Sequence, residues 1–432
     1  MRMFYPSLLR CTLLATSLGL LSACADNHAA SQLDTPASTA PSAPASLPAA
    51  AVSPASATSF AQPAQSFASW QAAFRQEALS AGIQAAVFDA AFQGVSPDPA
   101  VIKADRSQPE FTRPVWEYLD SALSATRVRR GQALLAEHAN TLHAIEQRYG
   151  VERHALVAIW GMESSFGQYM GDKSVIAALA TLAYEGRRPA FAHEQLLAAL
   201  RILQHGDVQA SRMRGSWAGA MGQTQFIPST YNQFAVDFDG DGRRDIWDSS
   251  ADALASAAHY LQKSGWQSGQ PWGFEVTLPS GFDYALADAE MRKSISQWRQ
   301  LGVKNLPAEA NNANAVLLLP AGYRGPAFLV LDNFRAILKY NNSTAYGLAI
   351  GLLSHRLDDQ PGVQAAWPRS DRQLGRSERI ELQELLTSKG YTPGAADGII
   401  GANTRKAVRA FQQSLGQPAD GYPSPELLQL LR

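Results

Sequence analysis

One carboxylate, Glu163, ends the otherwise apolar run Ala155–Gly167, Ala-Leu-Val-Ala-Ile-Trp-Gly-Met-Glu-Ser-Ser-Phe-Gly. Leu156, Ile159, Trp160 and Glu163 recur at spacings of three and four, so a helix over this stretch carries the acid on its apolar face, toward the core. A carboxyl desolvated there titrates high and keeps its proton near neutrality, as a general acid must. No second acid lies in a comparable apolar face nearby. A second stretch, Ser216–Ser229, is dense in Gly and Ala, which suits a backbone that a bulky ligand approaches closely, with Ser216 and Gln225 as hydrogen-bonding groups at its ends.

A third stretch, Asp237–Asp248, places acids at positions 1, 3, 5, 9 and 12 with Gly at 6, the spacing of a twelve-residue calcium loop. Its members are Asp237, Asp239, Asp241, Asp245 and Asp248, with Arg243 at position 7. Carboxylates this close repel unless a cation neutralises them, so a structural calcium ion is expected, holding the loop between Gln225 and the helix of Tyr260. Position 12 is Asp248 where the usual loop has Glu, and its shorter side chain leaves the identity of the metal open. No His or Cys pair has zinc spacing, and no cofactor is expected for catalysis.

The elements that position these residues are mostly helical. Trp70, Phe74 and Ala78, then Val87, Phe88 and Ala91, fall on helical spacings, and further helices are predicted over Val115–Tyr149, Arg153–Glu163, Ser174–Glu185, Ala190–Gln204, Ala251–Lys263, Phe334–Lys339 and Ala345–Leu357. Phe274–Leu278, Val316–Leu319 and Phe328–Leu331, bounded by Pro and Gly, predict a small strand-rich insert. The fold class is therefore mainly α with a minor β part (α+β). A polar linker over 359–375 leads to a unit at 376–432. There Leu382, Leu385 and Leu386 form one helix face, and Ala407, Val408, Phe411 and Leu415 a second. Ser424 and Pro425 start a third helix.

At the other end, Met1-Arg2 and Arg10 precede an apolar segment over Thr12–Leu21, too short for a stable bilayer span, which reads as an export signal. It ends Leu21-Ser22-Ala23-Cys24, resembling the lipobox of bacterial lipoproteins, with Cys24 as the lipidated first residue of the mature chain. With residues 1–23 removed, Cys11 is lost and no disulfide can form. The formal net charge moves from −1 to −3, because Arg2 and Arg10 leave and no acid does. Such a balance carries no field for nucleic acid, which is excluded as a partner. Residues 25–66, with 14 Ala, 8 Ser and 6 Pro among 42, read as a disordered tether over 24–66.

Gly161–Gly167, Tyr184-Glu185-Gly186-Arg187-Arg188, Ser216–Ser229 and Tyr340–Tyr346 together resemble the lytic murein transglycosylase B family, over about 67–358. The resemblance implies a lysozyme-like α+β fold and cleavage of the β-1,4 bond between N-acetylmuramic acid and N-acetylglucosamine in peptidoglycan. It implies Glu163 as the single catalytic carboxyl, first acid and then base, closing a 1,6-anhydro ring, whereas ordinary glycosidases use two carboxylates. It also implies Ser216 and Gln225 near the acid, Tyr260, Tyr340, Tyr346 and Tyr118 along a cleft, and Arg187 and Arg188 meeting a carboxylate of the peptide stem or lactyl group. The terminal unit, with Asp397-Gly398 and Gly401 before its second helix, is similar to three-helix peptidoglycan-binding domains. The expected setting is the periplasm, lipid-anchored to the inner face of the outer membrane, with glycan strands and cell-wall synthesis or remodelling proteins as partners. A hydrolytic muramidase and a non-catalytic wall-binding scaffold are the competing readings.

Overall fold

The computed structural model describes residues 65–106, 113–308 and 312–432. The chain divides into a unit of residues 1–42, outside the described residues, and a unit of residues 43–432 to which everything below belongs. The signal, Cys24 and nearly all of the tether lie outside the described residues. No helix among those described is long and apolar enough to cross a membrane.

Among the described residues the first helix begins where the Ala/Ser/Pro texture ends. Ser66 accepts the amide of Ser69 and caps α1 (Phe67–Ser80), followed by α2 (Ala85–Ala91), α3 (Pro99–Arg106), α4 (Val115–Ala122), α5 (Ala125–Glu137) and α6 (Ala139–Tyr149). The stretch Val115–Tyr149, expected as one helical region, is broken at Ser124, which is extended, and at His138. The breaks fold α4 and α5 back against the elements that enclose Glu163.

Next come α7 (Arg153–Ser164), strand β1 (Lys173–Ser174), α8 (Val175–Glu185), α9 (Pro189–His205), β2 (Arg214–Gly215), α10 (Pro228–Phe234) and α11 (Ser250–Lys263). Serine caps recur: Ser174 accepts from Ala177 N, and Ser249 from Asp252 N. Helix α7 is buried at every residue from Ala155 to Gly161, so the apolar run encodes a helix enclosed on all sides and not a single inward face. It packs against α5, α6, α11 and α14 (Thr344–Leu357).

The strand-rich insert is a four-stranded antiparallel sheet in the order β3 (Gly273–Val276), β6 (Ala327–Val330), β5 (Asn314–Leu318), β4 (Lys293–Ser294). It carries α12 (Ile295–Gln300) and its own core around Trp298, Ile295, Leu317 and Leu329. The chain then returns through α13 (Asp332–Tyr340) to α14 beside the catalytic-type core. The terminal unit has three helices, α15 (Arg376–Ser388), α16 (Ala402–Ser414) and α17 (Pro425–Leu431), around Leu382, Leu386, Val408, Phe411 and Leu428. Ser424 caps α17 with Pro425 at its first position, as the sequence predicts. Leu415, expected on the inner face of α16, is 44% exposed because the helix ends just before it. This unit is tied to the insert by Arg409, paired with Asp288 and donating to the Ala287 carbonyl, and by Asp420, which accepts from the amide of Tyr323 at 2.8 Å.

Candidate active site

Glu163 lies in the last turn of α7, where the helix emerges from its enclosure into a cavity of about 130 Å³. The turn is held from behind. Trp160 Nε1 donates to Gln223 Oε1 at 2.8 Å, Gln223 Nε2 donates to the Trp247 carbonyl at 3.0 Å, and Ser164 Oγ donates to the Gln223 carbonyl at 2.8 Å. The chain then reverses through Ser165 and Phe166, both with positive φ, and Phe166 sets its ring edge-on to Trp160. These bonds lock the end of α7 to the Gly-rich stretch opposite, so the direction of the Glu163 side chain is fixed by a buried polar network.

Among the described residues lining the cavity, Glu163 is the one carboxylate. The remaining walls are Ala220, Gln225, Phe226, Ile227, Thr230, Tyr260, Tyr340 and Asn341. Desolvation raises the Glu163 carboxyl to about 7, opposed by the Tyr346 hydroxyl, which donates to Oε1 at 2.5 Å and favours the charged form. The expectation of a raised pKa from apolar surroundings is met. Tyr118 feels the same charge: burial, with the Glu163 carboxylate adding to it, pushes its phenol up to about 12.

Tyr260 and Tyr340 pack as an edge-on pair, ring centroids 5.1 Å apart, each also touching Phe226. Their hydroxyls donate to the carbonyls of Lys339 and Thr224, both at 2.6 Å, so these rings are fixed walls and not free hydrogen-bonding arms. Gln225 lines the cavity with positive φ and donates from Nε2 to the Met170 and Gly222 carbonyls.

Other expected residues sit elsewhere. Ser216 does not line the cavity; its Oγ accepts from the amides of Ala218 and Ala220 and closes its own turn. Arg187 is paired with the buried Asp105 through its backbone amide and Nε, and the exposed Arg188 lies over the Phe191 ring at 5.2 Å. Neither lines the cavity. Local pairing took Arg187 because Asp105, on α3, is a near and buried acid that needs a cation.

The acidic loop also differs from the expected ligand set. Asp237, Asp239 and Asp252 converge, with carboxylate oxygens within 4.8 Å of one another. Asp241 instead pairs with Arg243, Asp248 pairs with Arg212, and Asp245 accepts from the amides of Trp247 and Asp248. Asp252, in the first turn of α11, accepts the amides of Phe238, Asp239 and Asp245 and so knots the loop onto that helix. It lies outside the twelve-residue window, which is why spacing alone passes over it.

Three further residues shape the site. Thr230 Oγ1 and Asn341 Oδ1 are buried with no protein partner and line the cavity, and Gln223 clamps α7. Asn341 lies in the Tyr340–Tyr346 motif, whereas Thr230 carries no local signal.

The transglycosylase SLT domain family matches residues 66–355, and the peptidoglycan binding domain family matches residues 375–431. The chain belongs to the transglycosylase SLT domain family. Its fold is lysozyme-like with a C-terminal peptidoglycan-binding domain, as the resemblance implied. The membrane-bound lytic murein transglycosylase B of Escherichia coli K12 is 33% identical over 240 residues, covering 54% of this chain and 64% of that relative. The crystal structure of SltB3 from Pseudomonas aeruginosa, in complex with NAG-anhNAM-pentapeptide, is 65% identical with a TM-score of 0.84 over 85% of this chain and 100% of that one. The Escherichia coli transglycosylase Slt35 in complex with calcium is 28% identical with a TM-score of 0.57, covering 67% of this chain and 92% of that one.

Proposed function

We propose that this chain is a peptidoglycan lytic transglycosylase that cuts the β-1,4 bond after N-acetylmuramic acid, with Glu163 as its single acid and base. The observation that carries this reading is a lone carboxyl at the end of an enclosed helix, its pKa raised to about 7 by burial, in a cavity lined by no second acid among the described residues. Glu163 gives its proton to the glycosidic oxygen as the C1–O bond breaks. The resulting carboxylate then takes the proton of the muramoyl C6 hydroxyl while O6 bonds C1, so the ring closes with no water added and Glu163 is regenerated. Tyr346 donates to the carboxylate in the interval and lowers the cost of the charged state. The P. aeruginosa relative crystallised with an anhydro-muramoyl product supports the same outcome here. Mass spectrometry of products from purified sacculi tests it: fragments one water lighter than a hydrolysed end are expected, and hydrated ends mean a muramidase.

The wall-binding unit is read as holding the enzyme on glycan strands, and Cys24 as a lipid attachment site at the outer membrane, with wall-synthesis or remodelling proteins nearby. Cys24→Ala is expected to move the protein from the membrane to the soluble fraction; an unchanged distribution rules the anchor out. A structural calcium ion is also proposed. Its donors would be Asp237 and Asp239 with Asp252 behind them, a hard oxygen set suited to such an ion. Calcium at 100 times its dissociation constant should add about 2.7 kcal/mol of stability by mass action, read as a melting-temperature rise that a chelator reverses and Asp239→Asn removes.

A further inference from the structure

The loop Ser165–Asp172 leaves α7 directly after the active-site turn, and its backbone is pinned along its length. Gly167 N donates to Ser164 Oγ at 2.9 Å and Tyr169 N to the Ser164 carbonyl at 2.8 Å. The Met170 carbonyl accepts from Gln225 Nε2 at 3.0 Å, and the Asp172 carbonyl from Arg214 Nη1 at 2.7 Å. Gly171, with φ of +89°, lies so close to Gly215 that a Cβ there would stand 2.2 Å from the Gly215 carbonyl. The anchoring groups belong to the residue after Glu163, to a residue lining the cavity, and to the strand leading into Ser216. Holding Ser165 and Phe166 at positive φ costs energy, so the loop is not the relaxed path between α7 and β1.

The two aromatic rings of this loop have opposite fates. Phe166 is 8% exposed and braces Trp160, whereas Tyr169 is 74% exposed, the most exposed large apolar side chain among the described residues. Its ring has no structural task, yet it stands on a base held by Ser164, next to Glu163, and by Gln225, which lines the cavity. An aromatic face presented this way, with its backbone ordered in advance, suits the C–H face of a pyranose ring: the area is large, the side chain has few rotatable bonds, and little entropy remains to be lost on binding.

We propose that Tyr169 is a stacking platform for a sugar ring of the glycan strand, outside the Glu163 cavity. The proposal rests on the glycan-cutting reading of the site. It is tested in the full chain carrying Glu163→Gln, which leaves strands uncut, by calorimetric titration with peptide-free glycan strands purified from sacculi. Adding Tyr169→Ala is expected to weaken binding by about tenfold, about 1.4 kcal/mol, at unchanged melting temperature. Tyr169→Phe and Tyr169→Trp should retain most of the affinity. Equal affinity with and without the ring overturns the platform, as does a loss that Phe and Trp fail to restore. Failure of the underlying reading looks different: the wild-type chain then forms no anhydro ends from sacculi.

Discussion

At the scale of residues, the chemistry concentrates in one proton. The Glu163 carboxyl is raised because its surroundings are apolar, and the Tyr346 hydroxyl is the group acting against that rise. Tyr346→Phe removes the hydrogen bond that favours the charged form, so the pKa climbs further. The alkaline limb of the kcat/KM profile, expected near pH 7 in the wild type, should move to higher pH, with a lower rate because the intermediate carboxylate loses its donor. Glu163→Gln should cost about two to four orders of magnitude in turnover. The same substitution has a stability signature. The folded acid keeps its proton to about pH 7 while the unfolded one loses it near its ordinary value of 4.5, so the folded wild type loses stability as pH rises between those points. The Gln variant does not, and thermal melts should show it gaining roughly 1–3 kcal/mol on the wild type from pH 4 to pH 8. An equal gap at both pH values would mean that Glu163 is not desolvated.

At the scale of elements, the catalytic turn depends on the contact between α7 and the Gly-rich stretch. Gln223 is 6% exposed and serves Trp160, Ser164 and the Trp247 carbonyl at once. Gln223→Ala strands the Trp160 indole N–H and the Trp247 carbonyl in the interior, each a loss of about 1–3 kcal/mol. Denaturant melts should register that loss, and kcat should fall with little change in KM, because the proton donor is displaced while the outer cleft is kept. The existence of α7 and the placing of an acid at its end were legible in the sequence, since the apolar run and the two glycines write them locally. The clamp was not, because Gln223 lies 59 residues beyond Ser164 and nothing near it in the chain marks its partner. Asp252 was passed over for a similar reason: it joins the acidic loop by capping it from the next helix, outside any motif window.

At the scale of the whole molecule, the helical core around Glu163, the core of the sheet insert and that of the terminal unit divide the work. The terminal helices hold their own cluster around Val408, and Arg409 and Asp420 fasten them to the insert. Deleting residues 376–432 is expected to leave cleavage of soluble glycan oligosaccharides within about twofold, since no residue lining the Glu163 cavity is lost. Retention on sacculi in a pelleting assay should drop several-fold. Loss of activity on the soluble substrate as well would mean that this unit completes the catalytic cleft.

The sequence by itself determined the elements whose signals are local: the enclosed helix of Glu163, the serine caps, the strand-rich insert between two helical regions, and the three terminal helices. It also held the motifs from which the family is recognised. Only the tertiary structure decided which polar groups face the cavity. Ser216 turns to its own backbone, Arg187 is taken by Asp105, and Thr230 and Asn341 come forward instead. The physical reason is that a hydrogen bond or ion pair goes to whichever partner burial brings nearest, and burial is settled by packing between segments far apart in the chain.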